Sequence, residues 1–267
     1  MTAVPLTRRG RRRQALARPF PNAWRALLEE SFAHWALLDA TERRRVEDLT
    51  RMLLADKYWE ATHGFALTEE MRVLIAAMAS LLVLGLDYDY YHRVTTVIVA
   101  PSSMVLEGAR PVGQGLYTDE PEVIIGQARH DGPVLIAWEA ARRDARHPEW
   151  GRNVVYHEFA HKLDMLDGGV DGTPPLETRA EHRRWVEVCQ AEYERLRGGE
   201  GGELLDPYGG VTPGEFFAVV TEVFFTRPQA LQLEKPELYA VLRDFYRQDP
   251  ADRERRKGLP SWLSLGP

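Results

Sequence analysis

Two histidines stand four residues apart in Val154-Val155-Tyr156-His157-Glu158-Phe159-Ala160-His161, with a glutamate directly after the first. On a helix, side chains four apart share one face, so both imidazoles can reach one metal ion. Glu158 is rotated by one residue and sits beside that ion, where a carboxylate can take a proton from a water. This is the H-E-x-x-H spacing that zinc peptidases use. Val154, Val155, Phe159, Ala160, Leu163 and Leu166 surround the polar groups with an apolar surface, so the segment reads as a buried helix. The expected ligands are His157 and His161, and the expected general base is Glu158.

A catalytic zinc takes a third protein ligand and keeps one position open. Cys189 is the only cysteine, so any metal site must be built from histidine and carboxylate. Three places compete for the third ligand. Asp167 lies six residues after His161, but a ligand there needs a sharp turn, usually at a glycine, and Asp164 occupies that position. Glu177 and Glu181 lie about twenty residues on, among Arg179, His182, Arg183 and Arg184, and read as a solvated helix face. Glu215 and Glu222 fall in Glu215-Phe216-Phe217-Ala218-Val219-Val220-Thr221-Glu222-Val223-Phe224-Phe225, where nearly everything else is apolar. A buried carboxylate is costly unless it is paired or binds metal. Seven residues apart, these two share a helix face at two levels, so one can ligate while the other orients a histidine. Tyr208, in Asp206-Pro207-Tyr208-Gly209-Gly210, lies seven residues before Glu215, on a turn from which its hydroxyl could meet a developing oxyanion.

The elements that must position these groups follow from periodicity and punctuation. Helical spacing runs from Asn22 to Leu38, and Thr41 is a plausible cap for a helix through Leu54. Thr68-Glu69-Glu70-Met71 opens a helix running to Leu86. Strand signals lie at Val94 to Ala100, Val123 to Ile125 and Val134 to Trp138. The last of these is the expected sheet edge for an extended peptide. The metal helix begins near Asn153 and ends at Leu166-Asp167-Gly168-Gly169. Thr178 to Leu196 is a charged helix, Thr212-Pro213 opens another, and helices near Pro236 to Arg247 close the chain. The expected fold class is α+β: a mostly helical, zincin-like domain with a small mixed sheet, spanning residues 21–267.

Composition sets bounds on partners. A net charge of -6 argues against a general nucleic-acid binder. Charge is uneven, however: Arg8, Arg9, Arg11, Arg12, Arg13, Arg18 and Arg25 all precede the first acidic residue, Glu29. Residues 1–20 are expected to form a flexible, solvated basic arm. No apolar core follows the arginines as in a secretory signal, and the longest apolar run, Val73 to Leu86, is too short to span a bilayer. A single cysteine suits the cytoplasm.

With these residues in view, the chain resembles the Mlc titration factor A family of zinc peptidases. The matching segments are Asn153 to Asp164, Asp171-Gly172-Thr173-Pro174-Pro175-Leu176, Pro207-Tyr208-Gly209, Glu215 to Val219, and Glu222-Val223-Phe224-Phe225. Leu238-Tyr239 and Phe245-Tyr246-Arg247-Gln248-Asp249-Pro250 match as well, so the likeness covers most of the chain beyond Trp24. The resemblance implies a gluzincin-like core similar to the anthrax lethal factor protease domain. It implies His157, His161 and Glu215 as zinc ligands, Glu158 as general base and Tyr208 as oxyanion donor. It also implies aminopeptidase-type activity on small substrates, and some members bind a sugar-responsive repressor. Gln127 departs from the glutamate expected in a Gly-Glu-Ala segment, and the arginine-rich start is not a family feature.

The reading is a zinc-dependent peptidase acting on peptide substrates, without membrane or nucleic-acid partners. Its rival is a regulatory protein that titrates a transcriptional repressor, with zinc structural or incidental.

Overall fold

The structure, a computed structural model, describes residues 7–62, 64–102, 104–106, 110–113, 116–118, 122–124, 126–128, 132–200 and 202–258. Helices come first: α1 (Arg8–Leu16), α2 (Asn22–Ser31), α3 (Ala40–Asp56) and, after strand β1 (Tyr58–Ala61), α4 (Glu69–Leu82). Short strands follow: β2 (Thr96–Ala100), β3 (Met104–Leu106), β4 (Arg110–Gly113), β5 (Leu116–Thr118), β6 (Glu122–Ile124), β7 (Gly126–Ala128) and β8 (Val134–Ala137). The rest is helical: α5 (Trp138–Arg146), α6 (Val154–Asp164), α7 (Arg179–Arg197), α8 (Pro213–Thr226), α9 (Pro228–Glu234), α10 (Pro236–Tyr246) and α11 (Pro250–Arg256). This is the mostly helical α+β architecture with a small mixed sheet that the residue pattern predicts.

The main sheet has the order β1-β2-β8-β7. β1, β2 and β8 run parallel, with Tyr58 opposite Thr96 and Val97 opposite Val134. β7 lies antiparallel to β8, with Gly126 opposite Ile136. β8 is therefore an interior strand, and among the described residues the edge next to it is β7. This corrects the expectation that Val134 to Trp138 forms the edge. The strand also stops at Ala137, and Trp138 already opens α5.

α4, α6 and α8 are buried nearly all round, which is why they carry apolar residues on every face rather than one stripe. α6 packs along α8 and against α4, with β7 and β8 also against it. Aromatic rings fill the space behind the site: Tyr91 meets Phe159 edge-on at 5.1 Å, and Trp185 meets Phe217 at 5.6 Å.

Three boundaries differ from expectation. The helix read from Asn22 to Leu38 breaks at Phe32 (φ -124, ψ 95), and a 3-10 turn at Ala33–Leu37 lets Phe32, His34 and Trp35 all be buried. α3 is capped by Asp39 rather than Thr41: the Asp39 carboxylate accepts from Thr41 N and Glu42 N, and Glu42 accepts from Asp39 N. α4 stops at Leu82, where the buried Gln248 amide donates to Leu81 O and Leu82 O at 2.9 and 3.1 Å.

The flexible arm is also corrected over residues 8–16; residues 1–6 lie outside the described residues. α1 packs against α3. Arg12 reaches the buried Asp56 carboxylate at 3.1 Å and Asp89 at 2.9 Å, and its guanidinium lies 4.3 Å from the Tyr88 ring centre. Lys57 meets the same Asp56 oxygen at 2.9 Å. A carboxylate with no solvent of its own draws cations to it, and that demand recruits one arginine of the run into the fold.

Candidate active site

The helix carrying both histidines starts inside the protein, so its first N–H groups need partners other than water. Asn153, itself buried, accepts from Val155 N and Tyr156 N at 3.0 Å each. Val154 N donates to Asp144 Oδ2 at 3.0 Å, and Asn153 N donates to Glu222 Oε2 at 2.5 Å. α8 starts at Thr212, whose hydroxyl accepts from Glu215 N, with Pro213 in the first helical position. Glu215 therefore stands on the first turn of α8 and Glu222 two turns deeper, both facing α6.

Across this helix pair three ligand atoms converge. One atom each from His157, His161 and Glu215 lie within 4.8 Å of one another. His157 Nε2 is 3.0 Å from Glu215 Oε2 and 3.2 Å from His161 Nε2, and His161 Nε2 is 3.4 Å from Glu215 Oε2. The other nitrogen of His157, Nδ1, lies 2.8 Å from Glu222 Oε1. A carboxylate can only accept, so a neutral His157 puts its proton on Nδ1 and turns the Nε2 lone pair toward Glu215. Three lone pairs facing one point at this spacing repel unless a cation joins them. The donor set fits a metal ion of the kind that takes imidazole and carboxylate.

Without a metal, a proton does part of that work. Burial works against charge on His157, but hydrogen bonds to Glu215 and Glu222 outweigh it and hold the imidazole well above its ordinary pKa. Burial likewise pushes Glu215 up, and the hydrogen bonds from His157 and His161 overcome it, holding the carboxyl well below the usual carboxylate range.

Glu158 is 4 % exposed, and its Oε2 has no hydrogen-bond partner among the described residues. Burial, with added repulsion from Glu215 and Glu222, pushes its pKa up to about 8 against the pull of His157 and Lys162. An unpartnered buried carboxylate oxygen beside a metal cradle is what a general base acting on water requires.

Tyr208 stands on a 3-10 turn, Pro207–Gly210, and is 51 % exposed. Its ring centre is 6.2 Å from that of His157. The turn sits close on α8 because Gly209 has no side chain: a Cβ there would lie 3.0 Å from Leu196 Cδ2 and 3.2 Å from Val219 Cβ.

The competing carboxylates are elsewhere. The chain stays helical at Asp164 (φ -60, ψ -41), so Asp167 is carried into a 3-10 turn, where it accepts from Gly169 N. Glu181 caps α7 by accepting from Thr178 N and Glu177 N, and Glu177 pairs with Arg247. The groups missed from the sequence are Asp144, which takes Val154 N, and Asp164, which is fully buried on α6 and accepts from Gly172 N at 3.1 Å. Asp164, between Leu163 and Met165, carried the signal that drew attention to Glu215 and Glu222, an acid among apolar neighbours; Asp144, beside Arg143 and two residues from Arg146, carried none.

Comparison with known proteins places the chain as a whole. The profile of the glucose-regulated metallo-peptidase M90 family matches residues 6–247. An uncharacterized protein of Synechocystis sp. is 35% identical over 244 residues, covering 90% of this chain and 89% of that protein. Mlc titration factor A of Serratia proteamaculans is 32% identical over 225 residues, covering 82% of this chain and 85% of that protein. Mlc titration factor A of Edwardsiella ictaluri is 32% identical over 230 residues, covering 84% and 87%.

Proposed function

We propose, for a chain that belongs to the glucose-regulated metallo-peptidase M90 family, that it is a zinc-dependent peptidase of aminopeptidase type. The observation that supports this most directly is the convergence of His157, His161 and Glu215 beside a buried, unpartnered Glu158 oxygen. In this reading His157, His161 and Glu215 hold the ion and Glu222 fixes the tautomer of His157. Zinc supplies Lewis acidity, lowering the pKa of water toward neutrality and polarising a carbonyl. Glu158 takes the water's proton and returns it to the departing amine. Tyr208 donates its phenol to the oxyanion. The outer edge of β7, antiparallel to β8, is where an extended peptide would add as a further strand. The single cysteine suits a cytoplasmic setting. No helix among the described residues is long and apolar enough to cross a membrane.

Two measurements on the purified protein test this: zinc content, and hydrolysis of a peptide panel with free and acetylated N-termini. About one zinc per chain with cleavage of free-ended peptides only supports the aminopeptidase reading. Cleavage of blocked peptides at internal bonds replaces it with an endopeptidase.

A second reading comes from relatives called Mlc titration factor A, whose name denotes titration of Mlc. In it, the chain captures a transcriptional repressor. Glu158→Gln separates the two: partner capture that survives while hydrolysis is lost makes them distinct activities of one protein.

A further inference from the structure

The three ligand residues sit on two helices, His157 and His161 on α6 and Glu215 on α8, so a metal site exists only if α6 and α8 keep a set separation at that level. At the deep end Glu222 does this, reaching from α8 to Asn153 N and His157 Nδ1 on α6. At the other end the tie runs through a carboxylate that the proposed chemistry does not use. Asp164 lies one turn after His161, is fully buried, and accepts from Gly172 N at 3.1 Å. Gly172 belongs to the strap of chain that crosses the start of α8. Its backbone is left-handed (φ +75), and a Cβ on it would lie 2.3 Å from Pro213 O and 2.8 Å from Pro213 C. The strap therefore rests backbone to backbone on the first residue of α8, two positions before Glu215. From the far side, Trp185 Nε1 donates to Gly172 O at 3.0 Å. A Cβ on Gly214 would lie 3.4 Å from Asp164 Oδ2 and 3.1 Å from Val170 Cγ1, so carboxylate, strap and helix start meet without slack.

We infer that Asp164 is a positioning residue for the metal centre: by holding the Gly172 strap against Pro213, it sets the spacing between His161 on α6 and Glu215 on α8. The inference rests on the reading of His157, His161 and Glu215 as metal ligands. It makes Asp164 and Glu222 a matched pair of buried carboxylates, one at each end of the α6–α8 contact, acting through hydrogen bonds rather than on substrate.

The test is zinc affinity, measured by chelator competition on the full chain at a temperature where circular dichroism shows each variant folded. Asp164→Ala removes the acceptor, and Gly172→Ala forces the strap off Pro213. Each is expected to weaken zinc binding by about 10- to 100-fold, the range for loss of a group that orients ligands. Asp164→Asn keeps an oxygen for Gly172 N and is expected to stay within about threefold of wild type. Trp185→Phe removes the N–H donated to the strap together with part of a buried ring, and is expected to cost a few-fold. Cobalt-substituted protein gives an independent view. Its visible bands should shift or broaden in Asp164→Ala and Gly172→Ala, and match wild type in Asp164→Asn. Cys189→Ala, a buried change in α7 that removes none of the strap's hydrogen bonds, should lower the melting temperature and leave zinc affinity unchanged. Wild-type zinc affinity in both Asp164→Ala and Gly172→Ala overturns the inference, as does an Asp164→Asn loss equal to that of Asp164→Ala. If Asp164→Ala does not fold, wild-type affinity in Gly172→Ala and Trp185→Phe overturns it. His157→Ala marks the other failure: if it keeps its zinc, the ligand assignment itself is wrong.

Discussion

Glu222 holds His157 by Nδ1 at 2.8 Å, and that one contact decides which imidazole nitrogen faces Glu215. The same carboxylate accepts from Asn153 N at 2.5 Å, so it anchors the start of the metal helix as well as the ring. Glu215 and Glu222 are two helical turns apart, about 10 Å along the axis, and under the proposed function they do different work. Glu215→Ala is expected to lose zinc almost completely. Glu222→Gln is expected to keep it with an affinity about 10- to 100-fold weaker. Metal analysis and chelator competition decide the matter. Zinc retained fully in Glu215→Ala removes that residue from the ligand set, and equal loss in both variants removes the distinction between them.

This division of labour shows what was readable in the sequence. H-E-x-x-H is a local pattern, so His157, Glu158 and His161 declare themselves within five residues. Glu215 and Glu222 stand out because acids in an apolar helix need a reason. Which of them faces the histidines at ligand height depends on how α8 lies against α6, and no local spacing encodes that. Helix starts near Thr68, Asn153, Thr178 and Thr212 are legible because capping is local chemistry, and the cap read at Thr212 holds, whereas the cap read at Thr41 falls two residues earlier, on Asp39. Sheet order was not: β8 reads as a strand, but its interior place depends on β7, a three-residue strand with little pattern to find. Likewise, the arginine run reads as solvated until Asp56, forty-four residues after Arg12, is seen buried and in need of a cation.

Glu158→Gln should leave zinc content and fold intact and lose nearly all hydrolysis. Gln matches the carboxylate in shape but cannot accept a proton from water at neutral pH. The structure sharpens the expectation, since among the described residues Glu158 Oε2 has no protein partner whose loss would disturb the fold. Turnover near wild type in Glu158→Gln would mean another base, or a reaction that does not proceed by attack of water.

Acid sensitivity should trace in part to His34. It is buried, its Nε2 donates to Phe225 O at 2.9 Å, and its Nδ1 lies 3.3 Å from the hydroxyl of Tyr156, the residue before His157. Burial lowers its pKa from 6.5 to about 4, with the Phe225 hydrogen bond opposing and Arg253 assisting. Between those values the unfolded chain binds a proton that the folded chain does not. Stability attributable to His34 is therefore whole above pH 6.5 and is lost as pH falls toward 4. The slope is at most about 1.4 kcal/mol per pH unit, the value for a single proton. In metal-free protein, His34→Gln should be less stable than wild type at pH 7 yet show a flatter dependence between pH 6.5 and 4.5. Urea titrations across that range check it, and parallel profiles would show that another group controls the acid limb.

Of the residues in the proposed site, Tyr208 has the role that depends most on the substrate. Its ring lies 6.2 Å from that of His157, on the turn that Gly209 seats against α8, and half of it is exposed to solvent. A purely structural tyrosine would be buried by its turn, whereas this one is presented beside the metal cradle. If its hydroxyl donates to the oxyanion, the contact strengthens as charge develops and is weak in the ground state. Removing such a donor costs roughly 10²–10³ in turnover. Tyr208→Phe should lower kcat and kcat/KM alike, with KM and zinc affinity little changed. Phe keeps the ring that packs near His157, so a loss of turnover reports on the hydroxyl alone. Steady-state kinetics on one well-cleaved peptide settle it: wild-type kcat in Tyr208→Phe leaves the oxyanion to the metal, and a rise in KM at unchanged kcat makes Tyr208 a ground-state contact for the peptide.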